Sequence, residues 1–175
     1  MRHPFYENEN TKRKTKMATR GRVGIVRDDG TVASIYQHWD SYPSCLGATL
    51  LNHYKNKEKI EKLIALGDCS SIREEVDIPE GKAHSFDKPL LNVTIAYGRD
   101  RGEDRVEPRL DHSEKAFWES DIEEYGYLFK DGKWYVATSH GYENKDGEYV
   151  SVSSDKRKVV ELTAEVCEQE DDLLH

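Results

Sequence analysis

The stretch Gly21-Arg22-Val23-Gly24-Ile25-Val26-Arg27-Asp28-Asp29-Gly30-Thr31-Val32-Ala33-Ser34-Ile35-Tyr36-Gln37 decides the fold. Its two halves are rich in β-branched residues and meet at Asp28-Asp29-Gly30. Asp-Gly between such runs is a strong hairpin signal, because the favoured tight turns need positive φ and glycine adopts it without penalty. The same dipeptide joins Tyr125–Phe129 to Trp134–Ala137 at Asp131-Gly132, and recurs with weaker flanks at Asp146-Gly147.

Outward from the first hairpin, Ser44 is placed to cap a helix in which Leu46, Leu50, Leu51 and Tyr54 share a face. Lys57 to Leu66 reads as a second helix with Ile60, Leu63 and Ile64 inward and Gly67 as its stop. Asp68 to Lys88 is punctuated by Pro79 and Gly81, with Pro89 just beyond, and reads as mostly loop. Leu90 to Tyr97 alternates as a third strand. Ser113 caps a further helix carrying Ala116, Phe117 and Ile122, and Thr163 to Gln169 reads as a short last helix. The order β-β-α-α-β-α-β-β predicts an α+β fold: an antiparallel sheet of about five strands with helices packed on one face.

A length of 175 residues suits one domain. Residues 1–16 lack hydrophobic period and read as a disordered basic extension. Residues 17–162 read as the single α+β domain, and 163–175 as a short helix with an acidic tail. The extension carries a net +3, so the remainder of this −8 chain stands at −11. A body that acidic repels a phosphate backbone, which argues against general double-stranded nucleic-acid binding. No apolar run approaches the roughly 18 residues of a membrane span. Cys45, Cys69 and Cys167 are odd in number and lie far apart, which suits a reducing cytoplasm better than a disulfide framework. Cys45, just before an apolar helix, reads as a small buried thiol.

Two polar clusters follow strand-like runs, where a rigid sheet presents side chains to a partner: His38-Trp39-Asp40-Ser41-Tyr42-Pro43 and Tyr97-Gly98-Arg99-Asp100-Arg101-Gly102-Glu103. The predicted binding residues are His38, Trp39, Asp40, Tyr42, Tyr97, Arg99, Asp100, Arg101 and Glu103. If strand geometry persists, His38 and Asp40 face one side and Trp39 the other, as an inward anchor. His38 and Asp40 are then either braces of the turn, ligand contacts, or an oriented acid–base pair. Arg99 and Arg101 offer forked donors suited to phosphate or carboxylate. The competing reading is an internal ion-pair network with Asp100, Glu103 and Asp104. No phosphate loop and no Gly-x-Ser-x-Gly occurs. His84 has no second histidine nearby, so a metal site requires His38 or Asp40 to converge with it; no metal and no cofactor is expected.

Met17-Ala18-Thr19-Arg20, Ile35 to Pro43, Leu63 to Asp68 and Ala96 to Glu103 together resemble a group of small accessory, non-virion proteins of tailed bacteriophages, over about residues 17 to 138. The resemblance implies a setting, the cytoplasm of an infected bacterium, with Met17 as the ancestral start. It implies no chemistry. The combined expectation is a binding protein that captures a host protein or a small anionic, nucleotide-like ligand through the His38–Tyr42 and Arg99–Glu103 loops. The alternative is a small phosphodiesterase or other hydrolase, with His38 as acid–base and Arg99 and Arg101 on a substrate phosphate.

Overall fold

The computed structural model describes residues 18–175, so the predicted extension 1–16 lies outside the described residues. Strands β1 (Gly21–Val26) and β2 (Val32–Gln37) form the hairpin, in the register Val23↔Ile35 and Ile25↔Ala33. Gly30 adopts φ +84° in its turn, the conformation that asks for glycine. The chain then runs through a π-helical turn, Pro43–Gly47, into α1 (Ala48–His53) and α2 (Lys57–Ala65), and on to β3 (Cys69–Ser71) and β4 (Ile95–Ala96). Next come α3 (Tyr97–Arg101), β5 (Arg109–Asp111) and α4 (Glu114–Glu119). The second hairpin is β6 (Tyr125–Lys130) with β7 (Lys133–Thr138). A small ribbon follows, of β8 (Tyr142–Glu143) and β9 (Tyr149–Val150), then β10 (Val160–Glu161), α5 (Ala164–Glu168) and α6 (Glu170–Leu173).

The fold is α+β, but its main sheet has eight strands and is mixed. The order is β10-β7-β6-β1-β2-β3-β4, with β5 also paired to β2. β1 runs parallel to β6, and β2 parallel to β3. Parallel neighbours need a crossover, and residues 38–68, with α1 and α2, form the one between β2 and β3. The expected all-antiparallel sheet counted the hairpins correctly and missed how helical connections join them.

Helices also cover both faces rather than one. Val23, Ile25, Ile35, Tyr127, Phe129, Trp134 and Val136 pack with Leu46, Leu50, Tyr54, Ile60, Leu63 and Val166 on the first face. A smaller cluster on the second face joins Val32, Leu128 and Ala137 to Phe117, Trp118 and Ile122. Alternation explains it: β6 and β7 are apolar on both sides, as buried strands are.

Local capping chemistry decides the helix starts. Asn56 accepts from Lys59 N and Ser113 from Ala116 N, while Thr163 accepts from Val166 N. Ser44 caps nothing, because Pro43 already opens the π-turn after Tyr42. That turn leaves Cys45 exposed rather than buried; Cys69 and Cys167 are the buried thiols. The expected strand Leu90–Tyr97 shrinks to Ile95–Ala96. Val93 N turns back to Leu90 O, and Arg73 takes the carbonyls of Leu90 and Leu91, leaving Leu91 84% exposed.

Candidate functional site

β2 ends at Gln37, whose buried amide fastens the following loop. Its Nε2 donates to Ser41 Oγ at 2.9 Å, and its Oε1 accepts from Ile72 N at 2.7 Å. Tyr127 adds a hydroxyl bond to Ser41 O at 2.6 Å. Strand alternation therefore stops before Trp39, and the predicted inward anchor turns out instead. Trp39 is 52% exposed, with its Nε1 donating to Ser70 Oγ at 3.3 Å. The Trp39–Asp40 peptide is cis. His38 Nδ1 lies 2.8 Å from the Tyr36 hydroxyl, and among the described residues no hydrogen bond joins His38 to Asp40. Tyr42 leaves this surface altogether and packs against Tyr125, ring centroids 5.8 Å apart.

The second cluster is a helical turn, α3, closed by Gly102 at φ +69°. Asp100 points inward, its side chain 1% exposed. It accepts from Ala96 N at 2.8 Å, from Arg99 Nε at 2.8 Å, and from His84 Nε2 at 3.1 Å. Leu90 N donates to His84 Nδ1 at 3.0 Å, so the buried ring is held as the neutral Nε2–H tautomer. Burial pushes the Asp100 carboxyl up, but Arg99, the Ala96 amide and His84 outweigh it and hold it below the usual range. Arg99 also donates to Val76 O at 2.6 Å and Thr94 O at 2.7 Å. Its fork is thus directed at its own chain. His84 closes the same knot, and among the described residues no group of three His, Cys, Asp or Glu side chains could hold a metal.

Arg101 pairs with Glu103 and lies over two rings, 4.0 Å from the Phe86 centroid and 5.0 Å from that of Tyr97. Phe86 stacks on Tyr97 at 5.9 Å. Burial raises the Tyr97 phenol, opposed by a hydrogen bond with Ser70. Ser70, on β3, therefore touches both Trp39 and Tyr97.

Through Ser70 the two segments meet. Trp39, Asp40, Ser70, Ser71, Arg73, Phe86 and Ile95 line an open hollow of about 350 Å³. Of the expected residues, Trp39 and Asp40 reach it, while Tyr97, Arg101 and Glu103 stand behind Phe86; Arg99 and Asp100 form the knot beneath. Ser70, Arg73 and Phe86 had no sequence pattern to mark them. Phe86 alone offered a hint, as an aromatic in a long polar loop.

On the same edge of β2, where β3 and β5 diverge, Asp68 Oδ1 accepts from Tyr36 N at 2.9 Å. Burial raises its carboxyl, with the Tyr36 amide and Arg22 opposing. No protein-family model, curated protein or solved structure matches this chain.

Proposed function

We propose that the protein is a non-catalytic binding protein that captures another protein through the Trp39–Phe86 hollow. The observation that carries this reading is the half-exposed Trp39 indole, oriented by Ser70 at the rim of a concave surface. Arg73 and the exposed Leu91 extend the patch, since Arg73 holds the Leu91 carbonyl at 3.0 Å. Trp, Tyr and Arg around a pocket are the composition of interface hot spots, and a ring already fixed loses little entropy on binding. The acidic chain, at −8, favours a basic partner surface. In the setting that the phage resemblance implies, that partner is a host protein.

A small anionic ligand clamped by Arg99 and Arg101 is less favoured, because both guanidiniums already face acceptors of the same chain. Acid–base hydrolysis by His38 and Asp40 draws no support from a histidine bonded to Tyr36. The test is affinity capture from bacterial lysate with wild type and folded Trp39→Ala side by side. A stoichiometric protein held by the wild type and released by the variant supports the reading. A phosphorylated small molecule in the wild-type eluate, retained equally by both, overturns it.

A further inference from the structure

Arg101 shows what rings and a carboxylate do together on this surface. Its guanidinium lies over Phe86 at 4.0 Å and Tyr97 at 5.0 Å, and it pairs with Glu103. The rings meet the flat face of the cation and the carboxylate meets its edge. Trp39 and Asp40 repeat two parts of that set. They adjoin in sequence, line the same hollow as Phe86, and lack the cation.

The Trp39 indole is half exposed, and its plane is held by the Nε1 bond to Ser70 Oγ. Asp40 is half-buried, and the loop engages its main chain, with Gln37 Nε2 donating to Asp40 O at 3.4 Å. Among the described residues its carboxylate has neither a hydrogen-bond partner nor a cation within ion-pair distance. Arg73 lines the same hollow without filling that role. Its Nη1 is drawn to the carbonyls of Leu90 and Leu91 at 3.2 and 3.0 Å, and no ion pair joins it to Asp40. Ile95, buried, adds an apolar lining residue. A ring of fixed plane, an unanswered carboxylate and an apolar lining in one hollow suit a long side chain with a flat cationic end.

We propose that the protein partner inserts an arginine side chain into this hollow, its guanidinium stacked on Trp39 and paired through its edge with Asp40. The inference rests on the reading of the hollow as a protein-capture surface, and names the group that the partner contributes. Arginine suits it better than lysine, because a planar guanidinium stacks and forks at once, whereas an ammonium is a more strongly hydrated point charge. The methylene stem lies along Ile95 and Phe86. A chain at −8 draws a basic segment toward itself, and Asp40 fixes where that segment lands.

The test follows the indole N–H resonances of the full chain by NMR. The probes are N-acetyl-arginine amide, N-acetyl-lysine amide and N-acetyl-citrulline amide at constant ionic strength. Citrulline keeps the shape of arginine without its charge, and Trp39→Phe assigns the Trp39 resonance by its disappearance. The arginine probe should shift that resonance saturably, at least about threefold tighter than the lysine probe, with citrulline not binding. Asp40→Asn should weaken the arginine probe at least about fivefold while melting at the wild-type temperature. Absence of a saturable shift overturns the proposal. So does citrulline binding as tightly as arginine, or equal affinity in folded Asp40→Asn. Lysine binding as tightly overturns the choice of arginine. If Asp40→Asn unfolds, the contrast between arginine and citrulline in the wild type decides alone. Arginine binding with no protein captured from lysate supports the guanidinium site and overturns the capture reading. A protein released by Trp39→Ala but held fully by Asp40→Asn overturns this proposal and leaves the capture reading intact.

Discussion

At α3, Arg99 lies against the carbonyls of Val76 and Thr94 and the carboxylate of Asp100, whereas just before β10 Lys156 and Lys158 have no Asp or Glu side chain within ion-pair distance among the described residues, and Lys158 Nζ donates only to an oxygen of the terminal His175 at 3.4 Å. The two regions hold similar charges and dispose of them differently. In the first, a loop and a short helical turn must be joined without much apolar surface, so ionic and backbone bonds do the joining. In the second, the inward Arg157 makes the close bonds, while Lys158 reaches only the His175 oxygen at 3.4 Å.

The contrast breaks most easily at Asp100. Removing its carboxylate leaves the Ala96 amide, the buried His84 and the Arg99 guanidinium without their shared acceptor. Asp100→Ala should cost about 3–5 kcal/mol, the usual loss when one member of a buried charged pair is removed. Denaturant unfolding measures it, and a change within error would mean that the knot is not structural. Arg99→Lys comes next. It keeps the charge and loses the fork to Val76 and Thr94, which should cost about 1–3 kcal/mol. Lys156→Gln, by contrast, should stay within about 0.5 kcal/mol of wild type. Equal losses for the two would dissolve the distinction.

Acid sharpens the same comparison. The Asp100 carboxyl is held below its ordinary value in the folded chain, so its contribution is full above the unfolded pKa and is lost as pH falls through the folded one. Asp100→Asn, which stays uncharged throughout, should be less stable than wild type near neutrality. The gap should begin to narrow as pH falls below the ordinary aspartate value and close only below the lower pKa of the folded carboxyl, where wild type also loses its charge. Asp29 and Asp155 are lowered too, by hydrogen bonds from Thr31 and Ser153. Both are exposed and present in the two proteins, so the difference isolates Asp100. A gap independent of pH would assign the loss to shape rather than charge.

The hairpins, the inward faces of α1 and α2 and the Ser113 cap were legible in the sequence, because each follows from neighbours within a few positions. What was not legible depends on distant partners. β1 parallel to β6 needs residues a hundred positions apart, and no local period marks that pairing. The Leu90–Tyr97 alternation is strand-like, yet Arg73 captures two of its carbonyls from outside the segment. The two polar clusters were legible as neighbours of strand ends, but not their division of labour. Trp39 looked like core by size and alternation; only the Gln37–Ser41–Tyr127 bonds, which end the strand early, turn it outward. His84 showed no local partner in the sequence, and Asp100, sixteen residues on, is what holds its ring.

Trp39 carries a small expected effect and the most direct reading of the α3 side, where contact is offered by rings rather than by cations. Trp118 and Trp134 are 8% and 4% exposed, against 52% for Trp39. One indole should therefore be open to acrylamide and two shielded, and Trp39→Phe should remove the quenchable component alone. Trp39→Ala forfeits the hydrogen bond to Ser70 and little packing, so it should cost about 1 kcal/mol. Trp134→Ala, which loses a buried ring and a 2.8 Å bond to Tyr54 O, should cost about 3–5 kcal/mol. If the two alanine variants lose stability alike, Trp39 is a core residue and the hollow has no exposed anchor. If Trp39→Ala stays near wild type while its fluorescence component disappears, the ring stands free at the rim, in a position to be buried by a partner.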